Sequence, residues 1–159
     1  MVKRKKWKVF LFWVGLSVAV GTLSGLLSMP GMEGFQESVR QPPLSPPAFL
    51  FPVVWTVLYV LMGISAARIR MTEPSEARSC GINLFIAQLV VNFFWSLIFF
   101  NARSFPLAFL WLMLLWGLVA WMILTFKKID PKAAYLQIPY LLWLTFASYL
   151  SAGVWVLNA

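Results

Sequence analysis

The chain reads as an all-α integral membrane protein, a five-transmembrane-helix bundle forming one domain over residues 1–159. Three observations predict this. First, 61% of the residues are hydrophobic and 11% charged, with a mean hydropathy of +0.81; a soluble domain is about 45–50% apolar and about 25% charged. Second, five apolar runs each reach roughly 20 residues, enough to cross a hydrocarbon core of about 30 Å at 1.5 Å per residue. Third, Lys and Arg are abundant in every other connecting segment and sparse in those between. This composition excludes a soluble enzyme, a disordered tail and a nucleic-acid-binding domain. The net charge of +8 and pI near 10.1 therefore report membrane topology and anionic headgroups rather than nucleic acid.

The spans are predicted over residues 9–29, 49–69, 81–100, 105–126 and 133–157. The first follows a basic segment, as a signal peptide would. Its apolar stretch exceeds the roughly 7–15 residues of a signal core, and residues 25–32 lack a small-x-small cleavage site, so a retained helix is expected. It carries Ser17, Gly21 and Gly25 at four-residue spacing. Such a ridge admits a neighbouring helix closely, within the bundle or in a homodimer. Ser45-Pro46-Pro47 precedes the second span, Ser104-Phe105-Pro106 opens the fourth and Asp130-Pro131 the fifth. Each sets a capping side chain and a proline where a first turn tolerates them. Pro139 is expected to free the Tyr135 carbonyl and bend the fifth helix near Trp143, as a plain kink or a widened cavity. Continuous apolarity without a polar alternate face argues against membrane strands.

Charge orients the bundle. The N-terminus (Lys3, Arg4, Lys5, Lys6, Lys8), the second connection (Arg68, Arg70, Arg78) and the fourth (Lys127, Lys128, Lys132) together hold 11 basic residues; Arg40 and Arg103 are the 2 on the other side. The N-terminus is thus expected in the cytoplasm and the C-terminus outside. The short basic start and the lack of a transit-peptide pattern point to the plasma membrane of a bacterium.

The chemistry is as informative in what is missing. The sequence has no His and one Cys, Cys80, which removes a disulfide within the chain, a cysteine metal cluster and the commonest general base. All five acidic residues (Glu33, Glu37, Glu73, Glu76, Asp130) lie in connections or at span ends. Without an intramembrane ionisable group, a proton-coupled carrier, a charged-ring channel and a carboxylate or Ser-His hydrolase are disfavoured. No metal site and no required cofactor are expected.

Uncharged polar and aromatic groups occupy the spans instead. Gln88, Asn92, Trp95, Ser96 and Phe99 share a face of the third helix; Phe51, Trp55, Tyr59 and Met62 a face of the second; Tyr140, Trp143, Ala147 and Ser151 a face of the fifth. Amides are costly against lipid, so these faces should turn inward. They can be interhelical glue. Their convergence, with flat rings beside small residues, also leaves room for a flat guest. Of the nine tryptophans, Trp7, Trp13 and Trp155 read as interfacial anchors. Trp111, Trp116 and Trp121 advance about 140° per step and spiral around the fourth helix. Trp55, Trp95 and Trp143 remain as inward candidates. Residues 30–48, with Phe35, Arg40, Pro42, Pro43, Pro46 and Pro47, form the longest connection. Two proline pairs favour a stiff, extended segment, read as a lid over the outer end or as a rigid spacer.

Three segments together resemble the TspO/MBR family, the tryptophan-rich sensory and translocator proteins also known as the peripheral benzodiazepine receptor family. They are Pro46-Pro47 with Phe51 and Trp55-Thr56-Val57-Leu58-Tyr59, then Gln88-Leu89-Val90-Val91-Asn92-Phe93-Phe94-Trp95-Ser96, then Pro139-Tyr140-Leu141-Leu142-Trp143-Leu144-Thr145-Phe146-Ala147. The likeness covers nearly the whole chain. It implies a five-helix bundle, often a homodimer, with a cavity for porphyrins such as protoporphyrin IX and for synthetic isoquinoline-carboxamides. It implies roles in tetrapyrrole or stress signalling, or in porphyrin or sterol transport. It maps ligand contacts onto Trp55 and Trp143, amide positions onto Gln88 and Asn92, and a small position onto Ala147. The chain departs from the family at Leu44, where Trp is frequent, and at Phe35-Gln36, where Trp-Tyr is frequent. No Lys or Arg follows Tyr149, so the sterol motif of animal members is absent.

The function expected from this is a membrane sensory or binding protein for a planar tetrapyrrole. Its ligand residues are Phe51, Trp55, Tyr59, Gln88, Asn92, Trp95, Tyr140, Trp143, Ala147 and Ser151, with propionates near Arg40 and free-base porphyrin favoured over haem for want of an axial His. The alternative is an enzyme degrading porphyrin in light through Trp55 and Trp143, with the chemistry supplied by the guest. A third reading is facilitated movement of porphyrin or lipid.

Overall fold

Five apolar helical stretches, Lys6–Met32, Leu50–Arg70, Glu76–Asn101, Phe105–Ile129 and Pro131–Leu157, are each long enough to cross a bilayer. The computed structural model describes residues 2–159, with side chains from Lys6 onward; Lys3, Arg4 and Lys5 of the basic N-terminus lie outside the described side chains. The elements are α1 (Val2–Met32), a single turn α2 (Phe35–Ser38), α3 (Leu50–Arg70), α4 (Glu76–Ser96) continued by a π-helical turn (Leu97–Asn101), α5 (Phe105–Ile129), α6 (Pro131–Leu136) and α7 (Ile138–Leu157). The protein is an integral membrane protein of five spans. Among the described residues there is no strand.

Span ends differ from those the apolar runs mark, for local reasons. α1 runs past Pro30 to Met32. A proline this near the C-terminus disturbs little of the hydrogen-bond ladder, and Asn101 Nδ2 donates to Leu27 O (2.8 Å), fastening that turn to the end of α4. α4 starts at Glu76 rather than residue 81 because Ser75 caps it, its Oγ accepting from Arg78 N (3.0 Å). α5 extends to Ile129, with Lys127 and Lys128 in its last turn, where cations suit the helix dipole. The fifth span breaks at Gln137, whose N–H bonds Ala134 O (3.0 Å), and Pro139 falls in the first turn of α7. The expected bend is therefore nearly two turns before Trp143, not beside it, because a proline is accommodated at a helix start.

Packing places α1 on α3, α4 on α5, α5 on α7 and α3 on α6. The α1 ridge is used inside the protomer. Ser17 is buried and bonds Trp13 O (2.9 Å), Gly21 faces the Tyr59 ring, and Ser24 Oγ donates to Phe93 O of α4 (2.8 Å). Gly63 of α3 lies directly on the Val14 backbone, so its missing side chain sets the α1–α3 distance. Trp13 is not an interfacial anchor. It is buried and meets Phe85 edge-on at 5.7 Å, because it lies on the same ridge as Ser17. Trp7 (53% exposed) and Trp155 (37%) do remain outside. In contrast, α3 and α7 are not among these closely packed pairs; they meet chiefly through large aromatic side chains.

The two ends are tied separately. On the side rich in basic residues, Arg68 Nε and Nη2 donate to Asp130 (2.8 and 3.3 Å), joining α3 to the α5–α6 corner. On the other, Arg103 Nη1 donates to Ser38 Oγ (3.0 Å) and its guanidinium lies 5.6 Å from the Phe35 ring centre. Asn158 holds the backbone of Arg40 in both directions (3.0 and 2.8 Å). The sorting of Arg40, Arg103 and the C-terminus onto one end matches the charge-derived topology.

Gly63→Ala should drive a methyl into the Val14 backbone and cost about 1–3 kcal/mol, the usual range for overpacking. Gly117→Ala, with nothing within 4 Å, should be nearly neutral. Thermal unfolding of both variants in the same detergent checks the contrast.

Candidate ligand site

The inward faces of α3, α4 and α7 meet through one hydrogen-bonded chain. Tyr59 Oη donates to Asn92 Oδ1 (3.2 Å), Asn92 Nδ2 donates to Tyr140 Oη (2.7 Å), and Tyr140 Oη donates to Gln88 Oε1 (2.8 Å). All four residues are buried. Gln88 and Asn92 are one turn apart on α4, so one phenol reaches both amides. Each helix is thereby fixed in rotation and depth.

Beside this chain the rings of α3 and α7 close on one another. Trp55 and Trp143 meet perpendicularly with centres 6.5 Å apart. Trp55 also contacts Tyr59 (5.7 Å) and Tyr140 (6.2 Å), and Phe51 meets Trp143 (5.8 Å). Phe51, Trp55 and Trp143 are half-buried. Ala147 and Ser151 continue the inner face of α7, both buried. Contacts thus join seven of the ten ligand residues read from sequence, with Ala147 and Ser151 buried farther along α7. Trp95 stands apart: it stacks on Phe99 (5.0 Å) and donates Nε1 to Ala108 O of α5 (3.2 Å). It lies three positions after Asn92, and that offset turns the larger side chain toward α5.

The proline-rich connection is fastened rather than free-standing. Pro42 seats on Gly153, where a side chain would collide with it, and Tyr149 Oη donates to Pro43 O (2.7 Å). It is not one extended rod. A turn at Pro43-Leu44, with Leu44 at φ 70°, separates the two proline pairs, and Ser45 Oγ bonds Pro42 O (2.7 Å) across it. Phe35 does not cover the aromatic cluster. It is buried against Phe99, Phe100 and Phe105 at the α4–α5 end, where three rings offer it apolar surface. Arg40, Pro46 and Pro47 line a hollow of about 770 Å³ in the connection itself, shared with Glu37.

Several buried polar atoms have no protein partner: Gln88 Nε2, Trp143 Nε1, Ser151 Oγ and both amide atoms of Gln137. Buried polar groups are nearly always paired, so each such atom calls for an explanation. Gln88 Nε2 sits at the end of the hydrogen-bonded chain, Trp143 Nε1 in the aromatic cluster and Ser151 Oγ about two turns farther along α7, and each can donate to an acceptor placed beside it. Gln137 escaped the sequence reading. Its signal was an amide one turn before Tyr140, on the same inward face of an otherwise apolar span. Trp111 and Trp116 act as ties, donating to Val91 O (2.7 Å) and Thr145 Oγ1 (2.9 Å). Among the described residues, no group of His, Cys, Asp or Glu is placed to hold a metal.

Tyr140→Phe removes the one oxygen serving both amides and should cost about 1–2 kcal/mol. Tyr59→Phe, which loses one longer bond, should cost less. Melting temperatures in detergent should rank wild type, Tyr59→Phe, Tyr140→Phe in falling order.

Comparison with known proteins bears on the whole bundle. Residues 13–156 match the family model described as TspO/MBR family. The chain is 36% identical to the tryptophan-rich protein TspO of Chlorobaculum tepidum over 91% of its length and 92% of that protein's. It is 34% identical to the protein CrtK of Rhodobacter capsulatus (90% and 89%) and 34% identical to the translocator protein of Ovis aries (77% and 75%). The two bacterial relatives accord with a bacterial plasma membrane as its location. Matched from Trp13 to Val156, through every span that builds the aromatic cluster, the chain belongs to the TspO/MBR family.

Proposed function

We propose that the protein is a membrane sensory or binding protein whose guest is a planar tetrapyrrole of the porphyrin type, held between α3 and α7. The observation that carries this reading is the set of unpartnered donors, Gln88 Nε2, Trp143 Nε1 and Ser151 Oγ, on the inward faces of α4 and α7, together with the rings through which α3 and α7 meet. Each buried donor without a partner costs about 1–3 kcal/mol, which an acceptor-bearing guest offsets. Turning Trp55 and Trp143 from mutual edge contact to flanking positions exchanges one aromatic contact for two against the guest. Burial of the macrocycle's apolar surface supplies the main driving force. The exposed Arg40 offers a cation to a carboxylate at the outer rim, tempered by Glu37 in the same hollow. The names of relatives, tryptophan-rich sensory protein and translocator protein, support binding or passage rather than turnover. The homodimer that the family resemblance implies belongs to the same proposal.

Titrating protoporphyrin IX while following tryptophan emission tests the site. Trp55→Phe with Trp143→Phe should weaken binding by about tenfold, because the smaller rings cover less of the macrocycle and the Trp143 N–H donor is lost. Unchanged affinity in that double variant would place the guest elsewhere.

A further inference from the structure

We infer that the cleft between α3 and α6 is a seat for one anionic phospholipid of the leaflet on the basic side of the bundle. The cleft holds about 350 Å³ and is lined by Ile64, Arg68, Lys132, Tyr135 and Leu136. Its two walls are graded alike. Arg68 on α3 and Lys132 on α6 lie toward the membrane surface, and Ile64 and Leu136, one turn away on the same faces, lie about 6 Å deeper. A cation above an apolar patch on each wall matches an amphiphile with its phosphate at the surface and its acyl chain below. Tyr135, 59% exposed, adds a ring with a polar tip at the level where phenols favour the interface.

The charge arrangement selects an anionic headgroup. Asp130 accepts from Arg68 Nε and Nη2 and from Lys132 N. It thus fixes the guanidinium at the cleft edge while Arg68 Nη1 makes no bond to it. Two cations and one carboxylate leave a single net positive charge, the complement of one phosphodiester. A choline or ethanolamine headgroup would bring its own cation against Lys132. The inference is independent of the porphyrin reading, since no residue of the cleft belongs to the aromatic cluster.

Native mass spectrometry of protein taken from vesicles of equal phosphatidylglycerol and phosphatidylcholine tests it. One phosphatidylglycerol should be retained in preference to phosphatidylcholine. Lys132→Gln, an exposed side chain outside the ion pair, should lower that preference roughly five-fold. Lys127→Gln, outside the cleft, should leave it unchanged. Equal retention of both lipids by wild type, or an equal drop in the two variants, would overturn the proposal.

Discussion

Inside a bilayer no water is available to satisfy a polar group, so every amide and phenol buried there must find its partner in the protein or in something the protein holds. The chain from Tyr59 through Asn92 and Tyr140 to Gln88 is the main response to that constraint. It joins three helices by bonds that have no competitor in hydrocarbon. Because Tyr140 uses its oxygen as both donor and acceptor, rotation of α7 is fixed, and Trp143, Ala147 and Ser151 follow from helical spacing alone. The same constraint gives meaning to the donors left over. Tyr59, Asn92 and Tyr140 are fully paired while Gln88 Nε2, Trp143 Nε1 and Ser151 Oγ are not, and it is this contrast that the proposed guest would resolve.

Both ends of the bundle are tied while its middle is filled by rings. Asn158, Tyr149 and Gly153 hold the proline-rich connection onto the outer end of α7. Arg103 and Phe35 hold its beginning to the α4–α5 end. Arg68 and Asp130 clamp the opposite side. Under the proposed function, a guest between α3 and α7 would enter by turning half-buried aromatic side chains rather than by separating helices whose ends are fastened. Backbone in the left-handed region at Leu44 and Arg103 falls within this outer fastening, where strain is commonly stored at functional segments.

Much of this architecture was legible in the residues. Uninterrupted apolar runs marked five spans, because lipid imposes a length rule that acts locally. The inward faces of α3, α4 and α7 followed from helical periodicity and the cost of amides in hydrocarbon. What was not legible depended on third parties. Trp13 is near a span end in sequence, yet the neighbour that buries it is Phe85, 72 positions away. Trp95 shares a face with Asn92, but its destination depends on how closely α5 approaches. Phe35 looked like part of a cover because nothing local announces the rings of Phe99, Phe100 and Phe105 that receive it. Pro139 marks a bend locally, whereas nothing local fixes Gln137 as the residue at which the helix breaks.

The claim on which all of this turns is that the unpaired donors beside Trp55 and Trp143 face a guest. The most direct test follows the indole N–H resonances by ¹H–¹⁵N correlation spectroscopy while protoporphyrin IX is added to the protein in micelles. The account predicts that the Trp143 Nε1–H signal shifts with saturation at one guest per chain while those of exposed Trp7 and Trp121 stay in place. Movement of Trp7 and Trp121 with Trp143 unmoved would mean that the porphyrin partitions onto the outside of the bundle, and the site described would not be its seat.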